Sequence, residues 1–591
     1  MRNLLKNGKI IAIGKLFEQV DYDVSNNIFG AKFNGNGAIE YYSIADGRNV
    51  DYPISYINIF YNGKIQDVLL DKMVSMIGRK QTIEIDLKTA LLKIEQFLSE
   101  KENGVYISYS FITDNKDDVL EIGVLGNFFY DVDNVEKKSL RGENKMFVAD
   151  CDFHYVEENH AAYFKLDSHK STIHMKMIYG DKYEKSDDVL SDFNNVYNSV
   201  EKEFSETYVP KHLNEKEKAA YCSAYWCALE NYKERGDYKG FMAGCRYLSP
   251  MRTYYRDSYF TVLPMYNKHS DKVKNQIITL SKGIKEDGSC PSAVKSDYTD
   301  FWGDHYDSPS FFVMMLYDYI RFSKDISITD IVIGDNTIFE KAIKVIKHLS
   351  MYCDDTGLLY KAGKYNQRDW ADEVNRYGYV AYDEILFARA LYSISQIYKL
   401  KNNEKQFEYY MKWFESVKKA INDILWSEEL GYYVNFRNKD YTEDNLSIDT
   451  VFAAIFDIAD KERSKKMLEK MENLLETQNN GVNENFGSMC VYPFYKKVCS
   501  AKNKSSQCFN YHNGANWPYL SAMYAYAKRK YNMDYKYLLI IPFEYNLKKG
   551  NYTMIEYFSP YCKDGSLLQA WSGAIAFVLD EKTSRGFWDD K

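Results

Sequence analysis

The sequence predicts two parts of different character: an N-terminal antiparallel β-sandwich, then a mostly helical domain of the (α/α)6 barrel type. Three observations predict this. The chain has 591 residues, more than one hydrophobic core ordinarily serves. Its first third alternates apolar and polar residues with turn signals at short intervals, the pattern of half-buried strands. Beyond Pro210 apolar residues recur at helical spacing in segment after segment.

The strand runs 55–64, 104–113 and 119–130 are the clearest, and the first contains an Asn62-Gly63 turn. Residues 1–186 are therefore expected to form the sandwich. No acids converge there, so a scaffolding role is assigned. Phe193, Val196, Tyr197 and Val200 then fall on one helical face, predicting a linker helix over 187–209. In 210–591 helices are expected to begin near Asn214, Asp257, Lys272, Ser308, Ile338, Tyr379, Lys405, Ser447, Asp460, Gly514, Tyr535 and Gln569. Twelve helices with elaborate loops suggest six inner helices ringed by six outer ones. The extended pieces 355–360 and 430–436 read as loop hairpins over one mouth.

Composition narrows the function. A net charge of −8 disfavours nucleic acid, whose phosphates need a basic face. No apolar stretch is long enough for a membrane span, and the first residues lack a signal-peptide core. The ten cysteines and nine histidines are scattered without metal-ligand spacing. Buried reduced thiols in a cytoplasmic protein fit best, with no metal and no cofactor.

Four distant segments pair carboxylates or amides with aromatic rings: Tyr255-Arg256-Asp257-Ser258; Asp369-Trp370-Ala371-Asp372-Glu373; Tyr511-His512-Asn513-Gly514-Ala515-Asn516-Trp517-Pro518; and Ile555-Glu556-Tyr557-Phe558 with Gln569-Ala570-Trp571-Ser572. Sugars need that mixture, because pyranose C–H faces stack on rings while hydroxyls bond to carboxylates. Two carboxyl groups flanking a glycosidic bond suffice to hydrolyse it. A fifth cluster holds Trp302, Asp304 and Asp307. Each segment also has a plainer reading. An acidic turn is ordinarily exposed, Arg256-Asp257 suits a salt bridge at a helix start, Asp307 before Ser308-Pro309 suits a helix cap, and His512 and Trp571 suit a core.

Taken together, the four segments resemble those of glycogen-debranching amylo-α-1,6-glucosidases and neutral invertases, and of processing glucosidase I relatives. The resemblance rests on Arg256-Asp257, Trp370-Ala371-Asp372, the Tyr-His-Asn-Gly-x-x-Trp-Pro run from Tyr511, and Glu556-Tyr557 with Gln569-x-Trp571-Ser572. It spans about residues 210–580. Ala371 stands where the family usually has Met. The resemblance implies an inverting glycoside hydrolase releasing a terminal sugar, glucose in α-linkage. Asp372 would be the general acid, with Asp369 its rival, and Glu556 the general base. Read from their own chemistry and neighbours, Arg256, Asp257, Trp302, Asp304, Asp307, Asp369, Trp370, His512, Asn513, Trp517 and Trp571 are the expected substrate contacts. The alternatives are a disaccharide phosphorylase on the same architecture, which needs basic or hydroxyl groups near Glu556 that the sequence does not display, and a non-catalytic carbohydrate-binding protein.

Overall fold

The computed structural model describes residues 2–14, 20–50, 53–66, 70–100, 102–179, 189–362, 368–496 and 502–589, without the side chains of 189–192 and Asp304. The N-terminal part is built from antiparallel sheets. A ten-stranded sheet runs from Arg2–Lys6 at one edge to Val132–Val135 at the other, with Gly104–Thr113 near its middle. A five-stranded sheet centred on Leu120–Leu125 and a four-stranded sheet beginning at Asp21–Ser25 complete it. Alternate residues of the central strands, such as Ile83, Ile85, Leu92 and Ile94, are fully buried, as the two-residue period requires.

The Asn62-Gly63 turn forms where the sequence places it. Both residues take left-handed φ values, 50° and 73°, which match the twist of a two-residue hairpin. The expected strand 119–130 is shorter. It stops at Leu125 because Gly126 turns the chain at φ 132° and packs against the Ile54 carbonyl, where a Cβ would stand 2.8 Å away.

The expected linker is the helix Val189–Ser205. Phe193, Val200 and Phe204 bury one face. The Arg79 guanidinium clamps the helix to the sheet through Glu203 at 2.5 Å and lies over the Phe204 ring. Phe204 sits directly on Gly78, whose φ is 51° and whose missing Cβ would meet the ring at 2.2 Å.

Among the described residues thirteen α-helices follow; the twelve from Glu215–Glu230 to Gly573–Leu579 lie within a few residues of the expected starts, and the short Glu581–Ser584 was not expected. They pack in an alternating order. Tyr255–Val262 packs on Ser308–Ser323, that on Ala381–Leu400, and that on Phe452–Ile455. Phe452–Ile455 packs on Pro518–Lys530, which meets Gly573–Leu579, and Gly573–Leu579 returns to Tyr255–Val262. Ser308–Ser323 is buried along nearly its whole length. Glu404–Ile424, by contrast, buries only Tyr410, Phe414, Val417 and Ile421, one stripe at helical spacing. The three-stranded sheet Arg252–Tyr254, Pro291–Lys295 and Asp300–Asp304 escaped the sequence reading. No described helix is long and apolar enough to cross a membrane. The described cysteines are free thiols, five of them buried and Cys508 exposed, so the expectation of burial holds for only part of the set.

Replacing Gly78 by Ala should destabilise the protein by about 1–3 kcal/mol, because the methyl overpacks the Phe204 ring and the residue keeps a left-handed φ. Urea unfolding of the variant measures this, and an unchanged midpoint would contradict the described seating of the linker helix.

Candidate active site

The acid-rich turn is held from behind by buried charge. Asp369 is only 2% exposed. It accepts from Lys361 Nζ at 2.6 Å, from Arg376 Nε at 3.1 Å and from the Ala371 amide at 2.9 Å. Arg376 Nη1 also donates to Asp449 Oδ2 at 2.7 Å, and the Trp370 indole donates to that same oxygen at 2.5 Å. Lys361 reaches Asp383 Oδ2 at 2.7 Å. Asp369 and Trp370 are therefore anchors, and the next two residues turn the other way. Asp372 Oδ1 stands 3.7 Å from His512 Nδ1, with its side chain 13% exposed.

Four rings lead away from Asp372. His512 stacks on Trp517 at 5.1 Å and 10°. Trp517 stacks on Tyr557 at 5.1 Å, and Tyr511 closes on Tyr557 edge-on at 4.9 Å. The residue before Tyr557 is Glu556. It lies on an extended hairpin in which Glu556 N donates to Ser566 O at 2.9 Å and Gly565 N to Tyr557 O at 2.9 Å. That hairpin pairs through reciprocal Asn516–Phe558 bonds at 3.0 Å with the segment that carries His512 and Trp517. The backbone comes this close because residue 565 is glycine. A Cβ there would stand 2.8 Å from Glu556 Cβ and 2.8 Å from its Oε2.

Arg256 and Asp257 open the helix Tyr255–Val262. Arg256 Nη1 donates to Asp307 Oδ2 at 2.8 Å, while its Nε lies 3.9 Å from Asp257 Oδ2. His305 Nδ1 lies 3.2 Å from Asp307 Oδ1, and the Tyr382 hydroxyl donates to Asp307 Oδ2 at 3.2 Å.

The environment separates the carboxyls by proton affinity. Burial holds Asp372 up at about 6, with Arg256, His305 and Arg368 opposing and the Glu373 charge adding. Burial likewise raises Glu556, against the Ser566 amide and Lys504. It also raises Asp257 to about 7, where Arg256 opposes and the Glu556 charge adds. The Tyr511 phenol, raised mainly by burial, is raised further by both Asp372 and Glu556. Burial would raise Asp369 too, but Arg376 and Lys361 overwhelm it and hold that carboxyl well below the usual range. Asp307 is pulled down to about 2, burial notwithstanding, by Arg256 and His305.

Several expected contacts change role. Asp369 is ion-paired to both Lys361 and Arg376, whereas its rival Asp372 faces His512. Asp307 precedes the helix Ser308–Ser323 but makes no cap bond; its carboxylate braces Arg256 instead. Asn513 is a loop pin, accepting from Tyr495 N at 2.8 Å and donating to Ser505 O at 3.0 Å. Trp571 is 4% exposed and stacks on Tyr519 at 4.3 Å, so it packs the core. Trp302 is 46% exposed, with φ 58° and Arg368 over its ring. The Asp304 side chain lies outside the described residues.

The sequence reading missed Lys504, Ser566 and Tyr247. Lys504 lies over the Tyr511 ring at 4.6 Å and the Tyr557 ring at 5.4 Å. It rides on a short helix whose Ser505 amide and hydroxyl donate to Glu373 Oε2 at 2.9 and 3.0 Å. Ser566 Oγ donates to Glu556 Oε2 at 3.4 Å, and Tyr247 bonds to the same carboxylate. Basic and hydroxyl groups therefore do surround Glu556, contrary to the expectation. Their sequence neighbourhoods carry no motif that would have shown it.

A family model described as amylo-alpha-1,6-glucosidase matches residues 227–578, more than half of the chain. Among solved structures, a bacterial glucoamylase complexed with acarbose aligns with a TM-score of 0.64 at 11% identity, covering 97% of each chain. That likeness is one of fold. A rhamnosidase from Klebsiella oxytoca with rhamnose bound aligns with a TM-score of 0.49 at 14% identity, over 83% of this chain and 87% of that one. No curated protein matches the sequence significantly.

Gly565→Ala should displace the Glu556 carboxylate and lower kcat on the order of 10²-fold, the scale of an ångström misplacement. Steady-state turnover of a glucoside checks this, and wild-type kcat in the variant would remove Glu556 from the chemistry.

Proposed function

The chain belongs to the amylo-alpha-1,6-glucosidase family, a family of glycoside hydrolases, and on that premise we propose that it releases terminal glucose from an α-linked oligosaccharide or glucoside with inversion. The observation that carries this reading is the pairing of two protonatable carboxyls, Asp372 and Glu556, around one phenol and one column of rings. The six alternate helices that pack in succession support an (α/α)6 barrel, with the acid and base loops at one mouth. The same reading includes a sandwich over 1–186, a linker over 187–209, a catalytic domain over 210–591 and a cytoplasmic location.

Asp372 donates its proton to the departing glycosidic oxygen. A raised proton affinity is what this requires, since an ordinary aspartate is ionised near neutrality. Glu556 takes a proton from a water attacking the opposite face, the arrangement of a single displacement. Asp257, steadied by Arg256, holds hydroxyls of the sugar whose bond breaks. Trp517, Tyr557 and Tyr511 wall the pocket, and Trp302 offers a face to the leaving side. None of these steps draws on a metal.

A second reading, phosphorolysis, draws support from Lys504, Ser566 and Tyr247 around Glu556. It requires orthophosphate beside an ionised carboxylate, which repels it. Product formation that depends on added orthophosphate would select this reading over hydrolysis.

The acid must be protonated and the base ionised, so kcat/KM should fall as pH rises through about 6 and fall again as pH drops through the raised value of Glu556. Asp372→Asn should lose about 10²–10⁴-fold on natural sugars. It should lose far less on glucosyl fluoride, whose leaving group needs no proton, and its alkaline limb should disappear. Equal loss on both substrates with the limb retained would make Asp372 a binding residue. Glu556→Gln should abolish hydrolysis while still binding sugar, since the amide keeps shape but cannot accept a proton.

A further inference from the structure

A cavity of about 850 Å³ opens among the N-terminal sheets, with Arg235 its one lining residue from the helical half, and none of its walls belongs to the acid loop or the base hairpin. Its size falls within the roughly 300–1,000 Å³ of small-molecule sites. Its inner wall is aromatic: the Tyr42 and Tyr179 rings lie 4.1 Å apart, with the Phe128 edge 4.9 Å from Tyr179. At the mouth Tyr130 is 45% exposed and stacked on His160 at 3.7 Å, which holds the ring in place. Polar groups alternate with the rings. The side-chain amide oxygen of Asn103, Oδ1, is buried without a hydrogen-bond partner among the described residues. Asn144 and Asp46 enter through turns with left-handed φ, 61° and 51°.

Charge chooses among ligands. Three acidic and three basic side chains line the space, so it offers no net charge to a nucleotide or an anionic lipid headgroup. The carboxylates and amides equally disfavour an acyl chain, whose burial leaves such groups unpaired. Flat rings interleaved with donors and acceptors of both kinds fit a neutral sugar, which stacks its C–H faces and hydrogen-bonds its hydroxyls.

We infer that this cavity is a second carbohydrate-binding site, for a neutral oligosaccharide. Its floor is fastened to the catalytic half. Asp46 N donates to Leu248 O at 2.7 Å and Asp46 Oδ1 accepts from Met251 N at 2.8 Å. Arg235 closes on Asp46 at 2.7 Å. Met251 leads directly into the strand Arg252–Tyr254 and the helix bearing Asp257. An oligosaccharide held there is held against the domain that carries the active site, so one substrate strand is retained while other ends are cut. The choice of a neutral glucan rests on the proposed function.

The test uses the full chain carrying Glu556→Gln, titrated with maltoheptaose by calorimetry, with and without Arg48→Ala/Tyr130→Ala. Both of those side chains are exposed, so their truncation spares the core. Two sites per chain are expected, falling to one in the double variant. The same pair of changes in the otherwise native enzyme should leave turnover of a short aryl glucoside within about twofold. Tyr42→Ala, read the same way, checks the inner wall. A single site that persists in the double variant overturns the proposal and leaves the active-site reading intact. A single site that the double variant removes supports the cavity and overturns the active-site reading. No binding at all overturns both.

Discussion

Everything at the candidate site depends on one buried ion cluster. Asp369, Arg376, Asp449, Lys361 and Asp383 share bonds of 2.6–3.1 Å at 1–2% side-chain exposure. Taking such charges out of water is costly, and the mutual attraction repays it only when geometry and hydrogen bonding are nearly complete. Here Trp370 donates to Asp449 and Ala371 to Asp369, while one oxygen each of Asp383 and Asp449 has no partner among the described residues. Burial raises the Asp383 carboxyl, against the pull of Lys361 and with the Asp369 charge adding. Removing one partner of a buried pair typically costs about 3–5 kcal/mol. The cluster fixes Asp369 and Trp370, and chain geometry then leaves Asp372 facing His512.

The second constraint ties Asp372 to Glu556. Ser505 grips Glu373, the residue after Asp372, and Asn516 pairs with Phe558, two residues after Glu556. Between them stand His512, Trp517 and Tyr557. His512 is held well below its ordinary proton affinity by burial and by Arg376, so the ring beside Asp372 is neutral and leaves that carboxyl its proton. The same desolvation raises both carboxyls. A site of this kind sets its acid–base properties by excluding water, with the ion cluster as the frame that permits it.

The sequence made much of this legible, for identifiable reasons. Helix starts were readable because apolar periodicity and start signals are local, as at Ser308-Pro309 and at the Asn214 capping box. Site segments were readable because carboxylates beside indoles are uncommon. Burial and pairing were not readable, because they depend on residues far along the chain. Asp369 and Asp372 look alike three residues apart, and only Lys361, Arg376 and Asp449 tell them apart. Asp307 has the sequence of a helix cap, but Arg256, 51 residues away, claims its carboxylate. Lys504 and Ser566 lie in ordinary polar loops, so nothing local marked them. Trp571 suited a core as well as a substrate contact, and the fold buries it while exposing Trp302.

The central claim is that Asp372 and Glu556 act on opposite faces of one glycosidic bond. Inverting carboxyl pairs stand about 6.5–9.5 Å apart to admit a water, whereas retaining pairs stand about 5–5.5 Å apart. Proton NMR of the first-formed sugar from an α-glucoside reports which displacement occurs before mutarotation blurs it. The account predicts β-glucose as the initial product. Initial release of α-glucose would contradict it, because retention requires a covalent intermediate that this assignment of base and water does not allow.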